Sequence, residues 1–284
     1  MLPIIEHADI RRLLMEQKVA VEGSIALLSY CSQSVDRQLI AGDLEESQRL
    51  TLLLELLTPI AKSGSSEYTL EANKHAIQIL GGYGYTREYQ VERLYRDHRL
   101  NPIHEGSHGI HGLDLLGRKV NLAGGATLTI MKQEIQPALE AAAVNETLAE
   151  NGESLADIWQ LTKRTIETVT QQADTVTRLS SATPFLDAFG HVAIALLWLP
   201  QALIAQQAPQ NGGRQTPSFT RAKLPHVSFS IAITCRRQPR SFTMWRLRID
   251  RCPTRRPVGL QAFEAELAIP DLIAELSAMC ELLL

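Results

Sequence analysis

From residue 9 to residue 39 apolar side chains return at helical spacing, at Ile10, Leu13, Leu14, Val21, Ile25, Leu28, Val35 and Leu39, and the same period resumes from 44 to 80. Two long amphipathic rods in succession leave little choice: their apolar faces must be buried against other helices, so the chain should fold as a helical bundle. Asp9 is placed to cap the first rod. Pro59 and Gly64 interrupt the second, which predicts a kink near its middle. Shorter helical stretches at 88–99 and 109–122 complete the bundle. Beyond the Gly124-Gly125 pair three more follow, at 128–150, 155–176 and 184–207. The predicted fold class is all-α.

With 284 residues at 45% hydrophobic, the chain can bury one core or two smaller ones. A net charge of −3 gives no chain-wide reason to expect nucleic-acid binding. Cys31, Cys235, Cys252 and Cys280 contain no CxxC pair, and nothing at the N-terminus reads as a secretory signal, so a reducing, cytoplasmic setting is expected. The stretch 184–207 is the most hydrophobic. Its unbroken apolar run, 192–199, is too short to span a bilayer and is flanked by Asp187, His191 and Pro200, which predicts a buried helix and no membrane anchor.

Chemistry is concentrated in residues 78–111, QILGGYGYTREYQVERLYRDHRLNPIHEGSHGIH. Gly81 and Gly82 close the preceding apolar run as a helix C-terminus, and with Gly84 they leave backbone that a bulky ligand can approach. Pro102 ends the charged helix, so Glu105 falls on a loop just before Gly106 or Ser107 opens the next one.

Three segments, LTPIAKS at 57–63, EANKHAIQILGGYGYTREYQVERLYRD at 71–97 and IHEGSHGIHGLDLLGRKV at 103–120, resemble the acyl-CoA dehydrogenase family. The likeness is to the long bacterial forms that carry an extra C-terminal helical domain and include 3-methylmercaptopropionyl-CoA dehydrogenases. LDAFGHVAIALLWLPQALIA resembles that extra domain and extends the match to about residue 224. The resemblance implies residues 1–124 as the C-terminal helical bundle without its first helix and 125–224 as the extra domain; at Pro225 the sequence departs from the family pattern, and its Pro and Arg content reads 225–284 as an irregular tail.

It also implies a flavin enzyme that converts an acyl-CoA to a trans-2-enoyl-CoA. Glu105 occupies the position of the catalytic base, which takes the α proton while FAD accepts the β hydrogen as hydride. Gln78, Gly81 and Gly82 fall where the family touches the cofactor of a neighbouring subunit. Ser107 stands in place of the usual threonine and retains its hydroxyl. His111 stands where glutamine is usual for a flavin contact. The implied partners are acyl-CoA, an electron-transfer flavoprotein and further copies of the chain. The family's N-terminal helical and middle β domains have no counterpart here, so the expectation is a chain inactive by itself.

Other readings compete. A helical assembly module that no longer turns over substrate is one. A zinc hydrolase is another, because His104, Glu105 and His108 formally match HExxH; that motif needs a continuous helix, which Pro102 and Gly106 argue against, and no metal is expected. Arg87, Glu88, Glu92, Arg93, Arg96, Asp97 and Arg99 read as a salt-bridged helix face. Residues 214–256 hold ten Arg and one Lys against one Asp, a local +10 that leaves −13 on the remainder. With Phe242 and Trp245 this suggests a basic nucleic-acid arm. A disordered or frame-shifted tail beginning at Pro225 is the favoured alternative, which sequencing of the locus would settle.

Overall fold

The computed structural model describes residues 3–104, 106–172 and 174–207. The basic segment and the tail, 208–284, lie outside the described residues, as does Glu105. Among the described residues the fold is all-α, with helices α1 (Ala8–Ile40), α2 (Leu44–Pro59), α3 (Ser65–Leu80), α4 (Val91–His98), α5 (His108–Gly117), α6 (Ala126–Ala143), α7 (Ala149–Thr170), α8 (Thr175–Leu179) and α9 (Ala182–Gln207).

The kink expected in the second rod is a single π-helical turn, Ile60–Gly64, joining α2 to α3. Proline supplies no N–H to the helical ladder, and a widened turn behind Pro59 absorbs the mismatch. Asp9 does not cap α1. The N-cap is His7, and Asp9 lies within the first turn, where its charge suits the helix dipole. Further on, helix gives way to a turn at Val144–Leu148, where the Asn145 side chain accepts from the N–H groups of Thr147 and Leu148 at 3.0 and 3.1 Å. The stretches read as 128–150 and 155–176 therefore divide earlier, at residues 144–148.

Helix α9 lies at the centre and packs on α5, α1, α6 and α7. It is long and apolar enough to cross a bilayer, yet 72% of its most apolar window is buried against the other helices. Trp198, Val192 and Leu186 are fully enclosed, and they share one core with Leu53, Leu56 and Ile60 from the first rods and Trp159 from α7. Residues 122–125 break the helical run, with Ala123, Gly124 and Gly125 all at positive φ, but the core continues across the break.

Helix α1 departs most from its sequence pattern. Its buried face is Leu13, Val19, Gly23, Ser24 and Leu27, whereas Leu14, Val21, Ile25, Leu28, Val35 and Leu39 are exposed. Small residues win because α9 lies too close for anything larger: a Cβ on Gly23 would sit 2.5 Å from Ile194 Cγ2.

A charged knot ties α1, α2 and α6. Tyr30 donates to Glu134 at 2.5 Å and Arg49 donates to the other Glu134 oxygen at 2.6 Å. Burial pushes the Glu134 carboxyl up, but the bonds from Tyr30 and Arg49 outweigh it and hold the group below its ordinary 4.5. A depressed carboxylate contributes stability above its unfolded value, and this is lost as pH falls through the lower folded value. Glu134→Gln is expected to lose about 1–3 kcal/mol at neutral pH. The difference from wild type should shrink below pH 4.5, as read from urea unfolding at a series of pH values.

Candidate functional site

Helix α3 ends at Gly81, whose φ of 58° and ψ of −135° suit only glycine. Among the described residues, and apart from the chain neighbours, no atom lies within 4 Å of where a Cβ would stand on Gly81 or Gly82, and both are exposed beside the exposed Gln78. This part of the turn is open to a flat ligand. Gly84 is not: it is buried, and a Cβ there would come within 2.5 Å of the Ile77 carbonyl oxygen. Its glycine is needed for the chain to fold back on its own helix, so the expectation that Gly84 helps admit a ligand is corrected. The Gly81 N–H is also committed, to the Gln78 carbonyl.

Around the turn Tyr83, Tyr85 and Tyr89 are exposed, with Tyr83 and Tyr89 in tilted contact at 5.8 Å. Helix α4 is shorter than the 88–99 read from sequence and carries only part of the expected salt-bridged face, through Arg93–Asp97 and Arg96–Glu92 at 3.4 and 3.5 Å, while Arg87, Glu88 and Arg99 lie outside the helix. His98 anchors it to α3 through contacts to Thr69 Oγ1 at 2.9 Å and the Ser66 carbonyl at 3.1 Å.

The second cluster sits at the start of α5. Ser107 is the N-cap, with φ −74° and ψ 159°, but its hydroxyl makes no capping hydrogen bond. It is exposed at the positive end of a helix, free for a ligand. The half-buried His111 folds back so that its Nε2 lies 3.3 Å from the Cβ position of Gly106, whose φ of 111° again requires glycine. Burial, with Lys62 and His108 nearby, pushes His111 below its ordinary 6.5. It is therefore a neutral hydrogen-bonding group near pH 7 and a weakened base. Glu105, two residues before the cap, lies outside the described residues.

The two clusters are not brought together within one copy of the chain. Ser63, which touches α5, and Gln78 are fifteen positions apart on one helical rod, about 22 Å. No single reacting atom can meet both.

His104 is the residue after a short 3-10 turn, Asn101–Ile103, with extended backbone, and α5 begins only at His108. The continuous helix required by HExxH is thus broken between its two histidines. Both ring nitrogens of His108 are engaged, Nδ1 with Ser63 Oγ at 2.6 Å and Nε2 with Asp187 Oδ1 at 2.9 Å. Sequence reasoning missed this contact set. Its three members are scattered over the chain, and their only common sign is polarity among apolar neighbours.

The all-α bundle matches the all-α C-terminal domain of a flavoenzyme family. The chain belongs to the acyl-CoA dehydrogenases: the family model "Acyl-CoA dehydrogenase, C-terminal domain" matches residues 2–120, and "Acetyl-CoA dehydrogenase C-terminal like" matches residues 129–233. It is similar to 3-methylmercaptopropionyl-CoA dehydrogenase of Ruegeria pomeroyi, 38% identical over 44% of this chain and 21% of that one. A broad-specificity linear acyl-CoA dehydrogenase, FadE5 of Mycobacterium tuberculosis, is 27% identical over 80% of this chain and 39% of its own length. The fold is shared with an acyl-CoA dehydrogenase complexed with FAD from Bacillus anthracis, at TM-score 0.61 and 17% identity, covering 99% of this chain and 50% of that one. The chain thus spans between a fifth and two-fifths of the length of these two curated relatives.

Proposed function

We propose that this chain supplies the base-bearing helical part of a flavin-dependent acyl-CoA dehydrogenase, with Glu105 removing the α proton of an acyl thioester. The reading is carried by the start of α5, where the exposed and uncommitted Ser107 hydroxyl and the neutral His111 ring flank the turn that follows Glu105. FAD, when bound, supplies the acceptor for the β hydrogen. Ser107 would hydrogen-bond the flavin through its free hydroxyl, and His111 would present one further nitrogen. A carboxylate does this work when it is kept from water beside an apolar acyl chain, which raises its affinity for a proton.

The open space at Gly81 and Gly82 fits a flat group, and the Gln78 amide stands beside it. Because the turn closes a helix C-terminus, its carbonyls carry partial negative charge. It suits the adenine and ribose of the cofactor, which donate hydrogen bonds, rather than the diphosphate. Gln78 stands about 22 Å along the rod from Ser63, the residue that touches α5, and this supports a cofactor shared between copies, so that Gln78 of one protomer serves the FAD of its partner. An electron-transfer flavoprotein as acceptor, residues 1–124 and 125–224 as two units, and a cytoplasmic setting belong to the same proposal.

Gln78, Gly81, Gly82 and Ser107 all lie on exposed surface, so another protein surface must cover them before water is excluded. Alone, the chain is expected to retain no flavin after incubation with FAD and removal of free cofactor. The direct test is a chimera in which residues 1–120 replace the matching segment of the Ruegeria pomeroyi enzyme. It should hold FAD and lose the flavin's visible absorption when 3-methylmercaptopropionyl-CoA is added; a chimera that holds FAD but does not bleach contradicts the proposal.

A second reading, a non-catalytic assembly module, is favoured by one observation, the exposed apolar stripe of α1. That reading expects the chain to co-purify with a full-length relative while the chimera stays unbleached.

A further inference from the structure

His108 is not used by the function proposed above, yet it is the most constrained ring near the site. Ser63 Oγ lies 2.6 Å from Nδ1, and Asp187 Oδ1 lies 2.9 Å from Nε2. The three residues come from the π turn, the first turn of α5 and the start of α9. A ring held at both nitrogens cannot rotate without giving up a bond. The backbone around it is equally close: a Cβ on Gly112 would lie 2.7 Å from the Ala182 carbonyl oxygen, so α5 rests directly on the start of α9. Tyr68 of α3 donates to the Asp187 carbonyl at 2.9 Å and stacks on His191, holding that turn of α9 from the other side.

The set has the composition of a Ser-His-Asp nucleophile but not its access. Ser63 is 2% exposed, and no acyl carbonyl reaches its oxygen. What the arrangement can do is hold. We propose that Asp187 and Ser63 are positioning residues, which fix His108 and through it the first turn of α5 and residues 106–107 of the loop before it. The consequence for catalysis rests on the reading that this loop carries the base. It gives α9, in the second matched region, a role at a site formed by the first.

The clamp is sensitive to pH. Burial lowers the affinity of His108 for a proton, but Asp187, and with it Glu67 of α3, outweigh this and hold the ring above its ordinary 6.5. The charged and titratable groups facing it are Asp187 from α9, Glu67 from α3 and His111 from α5 itself; Lys62 of the π turn acts on the neighbouring His111. Because the folded value lies above the unfolded one, the contribution of the ion pair is complete below 6.5 and is lost as pH rises through the folded value.

The test is backbone amide hydrogen exchange, read by mass spectrometry on the full chain, with intrinsic rates corrected for pH. Asp187→Asn is expected to raise exchange about tenfold in residues 106–112 and little elsewhere, the loss expected for a hydrogen bond to a charged group. In wild type the protection of this segment should fall as pH passes the His108 titration, and in Asp187→Asn that fall should vanish. Ser63→Ala, which removes only one oxygen, should show the same local effect if Asp187→Asn does not fold. Glu134→Gln, far from the clamp, is the control and should leave 106–112 unchanged. Unaltered exchange of 106–112 in both clamp variants, or a uniform rise along the chain, overturns the proposal. Exchange needs no flavin, so an intact clamp beside an unbleached chimera removes the functional reading alone.

Discussion

Replacing Trp198 with alanine should cost about 3–5 kcal/mol of folding stability, the range for truncating a buried aromatic residue. Trp198 is fully enclosed in α9, the helix on which α1, α5, α6 and α7 all pack. The cost falls near the top of that range because the neighbouring face of α1 cannot fill the hole. There it presents Gly23, whose Cβ position lies 3.0 Å from Trp198 Nε1, so α1 has no side chain to move inward. Since a domain has only about 5–15 kcal/mol in total, the variant should lose a large share of its stability. Urea unfolding followed by far-ultraviolet circular dichroism measures it. Ile204→Ala, on the outer side of the same helix and 67% exposed, should change stability by no more than about 0.5 kcal/mol. Equal losses from the two variants would mean that α9 is not the core.

The second large effect falls on chemistry. In the chimera, Glu105→Gln should slow flavin reduction by about 10²–10⁴-fold, the usual contribution of a positioned general base, while FAD remains bound. Glutamine matches the size of the side chain and cannot take the proton. His111 is the nearby group best placed to substitute, but burial and the neighbouring Lys62 and His108 have already made it a weaker base than a free histidine. Rescue from that source should therefore be small. His111→Gln should affect flavin retention more than the rate of bleaching.

Much of the fold could be read from hydrophobic period alone, because helix formation and the burial of one face are local consequences of sequence. The π turn was announced by Pro59, and the end of α3 by Gly81. Packing partners were less accessible. The apolar stripe of α1 looks outward because the chain's own core prefers the flatter face around Gly23, a choice made by α9 from far along the sequence. Asn145 carried the signal for the break after α6, but an apolar period running across it concealed the turn. At the candidate site, position along the chain suggested both clusters without indicating that α3 holds them apart. Gly84 and His108 show the same difficulty in opposite senses. A glycine that looked suited to a ligand is occupied by the backbone of Ile77, and a histidine that looked suited to a metal is occupied by Ser63 and Asp187.

Rapid mixing of the FAD-loaded chimera with 3-methylmercaptopropionyl-CoA, while the visible flavin band is followed, tests the role of Glu105 most directly. The expected result is prompt bleaching with Glu105 in place and bleaching slowed at least about 10²-fold in Glu105→Gln, with the same amount of flavin bound. Bleaching at the same rate in both proteins would contradict the assignment of the base and with it the proposed role of this loop.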